Sequence, residues 1–127
     1  MKYILLIALI VGGGYYYHRY TTTLDNANAL AVLLERVEFE SVDLFDLKDA
    51  TAKRVYAICA HNEEMLLSSG RTVNGCMQAH DVKRAECEGV IFNLAPLTID
   101  NREDLLDYTK RYTRCTLPYK DLKYQPY

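Results

Sequence analysis

The chain of 127 residues lacks the short motifs by which most small catalytic or cofactor-binding proteins are identified. It has no Cys-x-x-Cys, which excludes a thioredoxin-like redox pair, and no Cys-x-x-Cys-His, which excludes covalent attachment of a c-type haem. Its one run of glycines, residues 12–14, lies inside or beside an apolar N-terminal segment and is therefore no phosphate-binding loop. We accordingly predict no cofactor and no metal, and we assign no catalytic residue.

The sequence also lacks internal repeats, low-complexity linkers and runs of lysine or arginine. Its 15 basic and 17 acidic residues give a net charge of −2, and the part after residue 20 keeps 13 of the basic residues and all of the acidic ones. Nucleic acid is bound through neutralisation of phosphates by lysine and arginine, so this balance argues against a nucleic-acid partner. Half of the residues are hydrophobic, too many for a disordered tether and enough for one folded domain.

What the sequence does contain, at its start, is an apolar run over residues 3–11 that follows Lys2. We expect residues 1–20 to be a retained signal anchor, a single transmembrane helix with the N-terminus inside and residues 20–127 exported to the periplasm or the cell exterior. Residues 3–17 form about 22 Å of helix, which is short against a hydrocarbon core of about 30 Å. The aromatic and basic side chains after the run are predicted to lie at the membrane interface: Tyr15, Tyr16, Tyr17 and Arg19. The alternative is a signal peptide that is cleaved, leaving a secreted protein.

Hydrophobic periodicity predicts an all-α domain over residues 21–117, a small bundle of about four helices. The predicted helices cover residues 24–38, 44–68, 76–88 and 101–115. Thr23, Asp43 and Asp100 are the predicted N-caps, Asn74 with Gly75 is a turn or a further cap, and Gly89 is a predicted stop. Residues 90–99 are apolar and interrupted by proline, so we expect an extended segment across the core, in which a short strand is possible.

Four cysteines are an even number in a chain that we expect to be exported, and this indicates two disulfides. Cys76 and Cys87 lie on one predicted helix about 16 Å apart, too far for a bond between them. If neighbouring helices form antiparallel hairpins around residues 72 and 95, Cys59 faces Cys87 and Cys76 faces Cys115. These are the two predicted bonds. The alternative, Cys59 with Cys76, requires a displaced register.

Two alternative functions, a zinc site and a hydrolase, would depend on His61 and His80. With Cys59 and Cys76 they have the residue types of a zinc site, but Cys59 and His61 point about 200° apart on a helix. A histidine-dependent hydrolase is the other alternative, although residues adjacent on a helix, such as His80 and Asp81, do not face one another. The simpler interpretation is two disulfides and two histidines on the surface.

The last ten residues, 118–127, form a tail rich in tyrosine and proline. Tyrosine gives a large contact area at little cost in side-chain entropy, so Tyr119, Tyr124 and Tyr127 are predicted to contact a partner. The function we expect is that of a small membrane-anchored accessory protein, which acts by binding another membrane or envelope protein. The alternative is a secreted inhibitor or ligand-binding protein, and the identity of any small-molecule ligand stays open.

Overall fold

The computed structural model describes residues 1–124, except for the side chains of residues 19–23. This part of the chain is almost entirely helical, as predicted, with five α-helices: α1 Lys2–Arg36, α2 Leu44–His61, α3 Glu63–Ser68, α4 Val73–Ile91 and α5 Arg102–Thr116. Two strands of two residues each, β1 Val42–Asp43 and β2 Thr98–Ile99, pair antiparallel. The short strand that was possible within residues 90–99 is therefore limited to residues 98–99.

Side-chain caps fix where three of the helices begin. Asp43 accepts a hydrogen bond from the backbone N–H of Phe45 at the start of α2, as predicted. Thr72, and not Asn74 or Gly75, caps α4, and Asn101, and not Asp100, caps α5. The prediction that Thr23 begins a helix was wrong, because α1 runs continuously through residue 23, and α4 likewise continues past Gly89.

Asn62 divides the predicted helix 44–68 into two. Its side-chain nitrogen donates to the carbonyl oxygens of Ile58 at 2.8 Å and Lys123 at 3.0 Å, and its side-chain oxygen accepts from the N–H of Lys123 at 2.8 Å. The side chain therefore ends α2 and binds the tail to it. α3 then leads into a turn at Gly70, whose positive φ of 76° suits glycine.

The second half of α1 packs on α2, while α4 and α5 pack on each other and on α2. The predicted stripe Leu30, Leu33, Leu34 and Val37 is buried, and so are Leu47 and Leu66. The last turn of α1 lies beside the first turn of α2, where Arg36 pairs with Asp46 at 3.2 Å, and the connection between the two helices is short. The two packed helices are therefore antiparallel. The core thus lies around α2, which every other long helix contacts.

The bundle has two ends that differ in structure. At one end, which we call the ribbon end, β1 and β2 join residues 36–46 to residues 97–102, and Arg102 pairs with Glu38 at 3.8 Å. At the other, the tail end, residues 59–76 meet residues 117–124, where Arg71 pairs with Asp121 at 2.8 Å. The apolar first half of α1 extends beyond the tail end, because Tyr15 and His18 line the same groove as the end of α2 and the start of α4.

Two disulfides are present, as predicted, but the predicted pairing was wrong. Cys59 is bonded to Cys76, and Cys87 to Cys115, each pair with Cα atoms 5.8 Å apart. The prediction assumed that the second helix reached residue 68. Because α2 ends at His61 and α4 begins at Val73, the last turn of α2 lies against the first turn of α4. α5 meets α4 further along, which places Cys115 against Cys87.

In the described part of the chain, no helix combines the length and the apolarity needed to cross a membrane. The structure therefore gives no support to the predicted transmembrane anchor over residues 1–20.

Candidate functional site

The first half of α1 is the most exposed apolar segment of the described structure. Its large side chains between residues 3 and 11 are from 56% exposed, at Leu6, to 81% exposed, at Tyr3. Tyr15, Tyr16 and Tyr17 are exposed as well, whereas the side chain of Arg19 lies outside the described residues. Apolar residues surround the helix on all sides, a pattern found where a helix is covered by other protein or by lipid. The interface role predicted for these residues stays a prediction.

A groove of about 520 Å³ lies at the tail end, between the exposed and the packed parts of α1. Tyr15 and His18 of α1 form one wall, Tyr56 of α2 forms another, and α3 and the start of α4 complete it with Leu67 and Met77. The lining mixes aromatic, apolar and polar side chains, so it suits an amphipathic ligand or a peptide segment.

Tyr56 connects this groove to a polar network between α2, α4 and α5. Its hydroxyl donates to the carboxylate of Asp81, which also lies 3.0 Å from Nδ1 of His80. Nε2 of His80 lies 2.7 Å from the hydroxyl of Tyr112. His80 and Tyr112 are both fully buried, and the Tyr56 ring meets the His80 ring edge-on at 5.0 Å.

The environment fixes the protonation states of this network. The hydrogen bond from Tyr56 lowers the pKa of Asp81, which therefore stays ionised and only accepts hydrogen bonds. Burial lowers the pKa of His80, so the imidazole is neutral at pH 7, with its proton on Nδ1 facing Asp81. Nε2 then accepts from Tyr112, whose phenol pKa is raised by burial. Each hydrogen-bonding group thus has a partner inside the network.

The prediction that His80 lies on the surface was wrong, as was the expectation that it would not face Asp81. A signal for its burial was present in the sequence, since His80 is four residues after Cys76 and shares its helix face. His61, in contrast, is exposed.

The chemistry of this cluster favours a structural role. His80 is closed to solvent and its ring nitrogens contact Asp81 and Tyr112, so neither nitrogen is accessible to a substrate. The hydroxyls of Ser68 and Ser69 donate to backbone carbonyls of α3. Among the described residues no cysteine is free, and no group of three or more histidine, cysteine or acidic side chains has the geometry of a metal site.

The structure places two of the three predicted contact tyrosines against the protein itself. The Arg71 guanidinium lies 4.3 Å from the centre of the Tyr119 ring, and Arg54 lies 5.7 Å from that of Tyr124. Tyr124 and His61 also line a second groove, of about 550 Å³. Tyr127 lies outside the described residues. The proposed contact of these tyrosines with a partner stays a prediction.

Comparisons of the chain with protein-family models, with curated proteins and with solved structures found no match. The functional conclusion therefore depends on the geometry alone.

Proposed function

We propose that the protein is a small exported binding protein, held at a membrane by the first half of α1 and acting through protein–protein contacts. The observation that carries the proposal is the division of α1. Its second half packs on α2, while its first half extends from the bundle with an apolar run exposed on all sides. Exposed apolar surface of this extent is unfavourable in water and favourable in lipid.

Two further observations support this proposal. Both disulfides close loops within the bundle, and disulfides persist in oxidising compartments outside the cytosol. The tail end, from which the apolar half of α1 extends, carries no net charge, because its three basic residues are balanced by Glu63, Glu64 and Asp121. An anionic lipid surface is therefore not repelled there.

The length of the apolar run limits how it can attach. Residues 3–11 cover about 14 Å of helix, close to half of a hydrocarbon core of about 30 Å, so upright insertion would place the charges of Lys2 and the N-terminus near the middle of the bilayer. We therefore propose that this segment lies along the membrane surface, with Lys2 and the tyrosines at residues 15–17 at the level of the headgroups.

Flotation with lipid vesicles tests the attachment. The oxidised full-length protein should float with vesicles containing anionic lipid. A Leu6→Lys/Leu9→Lys variant should stay at the bottom of the gradient, because two charges enter the apolar run. The matched control is Val82→Lys/Val90→Lys, which places the same charges on exposed valines of α4 and should float like the parent protein.

An intact mass of the protein from its own cells, measured without reducing agent, completes the test. A mass that includes residues 1–14 and is lowered by four hydrogens is the expected result. A mass that begins near Tyr15 would overturn the attachment and favour the secreted alternative. Four reduced thiols would overturn the exported location.

A further inference from the structure

Large apolar side chains are also exposed at the ribbon end, where the bundle has no need of them. The exposed fractions are 88% for Phe39, 71% for Phe45, 94% for Leu94 and 76% for Leu97. We call these four residues the ribbon-end patch, although Leu94 itself lies three residues before Leu97 in the connection that leads into the ribbon end. Phe39 belongs to the connection between α1 and β1, Phe45 to the first turn of α2, and the two leucines to the connection between α4 and β2.

Contacts of the backbone and of one lysine hold these elements together. The N–H of Leu44 donates to the carbonyl of Leu97 at 2.9 Å, which fixes Leu97 beside the start of α2 and hence beside Phe45. The Lys48 ammonium lies 5.6 Å from the centre of the Phe45 ring and 5.8 Å from that of the buried Phe92. Phe45 and Leu97 are thus carried on an ordered support, so less conformational entropy is lost when they bind a partner.

The ribbon end is strongly acidic. The ribbon end together with the first turn of α5, residues 36–46 and 97–104, contains seven acidic and two basic residues, which leaves ten acidic and thirteen basic residues in the rest of the chain. The acidic residues adjoin the patch directly, since Phe39 stands between Glu38 and Glu40, and Phe45 precedes Asp46. An apolar surface with a negative rim is complementary to an apolar surface with a positive one.

We propose that the ribbon-end patch is the docking surface for a basic amphipathic segment of a partner protein. The apolar face of such a segment covers the phenylalanines and leucines, and its lysines or arginines face the acidic rim. Anionic lipid is repelled by this rim, and the patch lies at the end of the bundle opposite to the apolar half of α1. A second copy that docked symmetrically would bring two acidic rims together.

This inference rests on the proposed binding function and is tested independently of membrane attachment. The full-length oxidised protein in non-ionic detergent is titrated into a fluorescent synthetic peptide of leucine and lysine, arranged as an amphipathic helix. We expect saturable binding that weakens with added salt. A Phe45→Ser/Leu97→Ser variant should bind the peptide at least about tenfold more weakly, which corresponds to about 1.4 kcal/mol.

Matched controls separate the patch from general attraction to an acidic protein. Val82→Ser changes an exposed apolar residue on α4 and should leave binding unchanged. Glu40→Lys/Glu103→Lys at the ribbon end should weaken binding, whereas Glu64→Lys on α3 should not. A peptide with glutamate in place of lysine should not bind.

Three outcomes would overturn the inference. One is equal affinity of the parent protein and the Phe45→Ser/Leu97→Ser variant for the lysine peptide. Another is self-association in sedimentation that this variant abolishes, since a second copy would then occupy the patch. The third is loss of vesicle flotation in the same variant, since lipid would then be the occupant. If the Leu6→Lys/Leu9→Lys variant still floats with vesicles, the proposed membrane attachment is wrong, and the docking proposal is unaffected.

Discussion

The two ends of the bundle differ in how exposed their aromatic side chains are. At the tail end, Tyr119 and Tyr124 lie against arginine side chains, and Asn62 holds the backbone of Lys123 by two hydrogen bonds. At the ribbon end, Phe39 and Phe45 are exposed, although phenylalanine has no polar group that water can solvate. Amphipathic tyrosines therefore pack against the protein at the tail end, whereas fully apolar phenylalanines remain exposed to water at the ribbon end.

The ends also differ in what fixes them. A disulfide joins the last turn of α2 to the first turn of α4 at the tail end, whereas two strands of two residues join the ribbon end. Polar contacts at the tail end are specific and partly buried, as at Asn62, while the ion pairs of the ribbon end are exposed. Exposed ion pairs contribute between about 0 and 1 kcal/mol each. Stabilising contacts are therefore concentrated at the tail end, whereas the proposed docking surface lies at the ribbon end.

Removal of either disulfide should have the largest effect on stability. The bond between Cys59 and Cys76 closes a loop with a sequence separation of 17, and in the chain-entropy model such a bond contributes about 3 kcal/mol. A Cys59→Ala/Cys76→Ala variant should lose about that much free energy of unfolding in urea, followed by circular dichroism. The variant for comparison is Cys87→Ala/Cys115→Ala, whose loop is longer and whose loss should be similar or slightly larger. Peptide mapping that found Cys59 joined to Cys87 would contradict the structural basis of this prediction.

Mild acid should weaken the fold through His80. Burial lowers its pKa in the folded protein, so below the usual value of about 6.5 the unfolded chain binds a proton that the folded one does not. The free energy of unfolding should therefore fall as the pH drops from 7 to 5. The groups that face His80 are Asp81, Arg84 and Glu88 on α4, Tyr56 on α2 and Tyr112 on α5, and the carboxylate of Asp81 opposes the shift without cancelling it.

Two histidine variants isolate this effect. His80→Leu removes the titrating group and should flatten the dependence of unfolding free energy on pH between 7 and 5, even if the variant is less stable at pH 7. His61→Ala changes an exposed histidine and should leave the dependence as it is in the parent protein. An unchanged slope in His80→Leu would show that other groups are responsible.

Local patterns in the sequence predicted the elements of the fold better than their relative positions. The stripe from Leu30 to Val37 and the cap at Asp43 follow from helix periodicity and capping, which involve only neighbouring residues. The disulfide pairing depended on where α2 ends, and that is decided by Asn62 through its contact with Lys123, 61 residues away. No local pattern reveals such a contact.

Local sequence patterns also failed to predict the burial of single polar residues and the clustering of charge. His80 is buried, although the simpler interpretation of the sequence placed both histidines on the surface, and its position on the helix face of Cys76 indicated burial. The acidic ribbon end combines residues from two segments about 50 positions apart, which only the pairing of β1 with β2 brings together.

Substitutions in the ribbon-end patch should have the smallest effect on stability, and they test most directly whether the two ends differ in their contribution to the fold. Phe45→Ser and Leu97→Ser replace side chains that are already in water, so each should change the free energy of unfolding by no more than about 0.5 kcal/mol. The matched tail-end variant is Leu66→Ser, which places a hydroxyl at a fully buried position and should cost several-fold more. Urea unfolding of the three variants measures both. A large loss in Phe45→Ser or Leu97→Ser would mean that the patch is part of the core, and its exposure would then no longer argue for a partner. A negligible loss leaves a phenylalanine and a leucine whose presence the fold itself does not require.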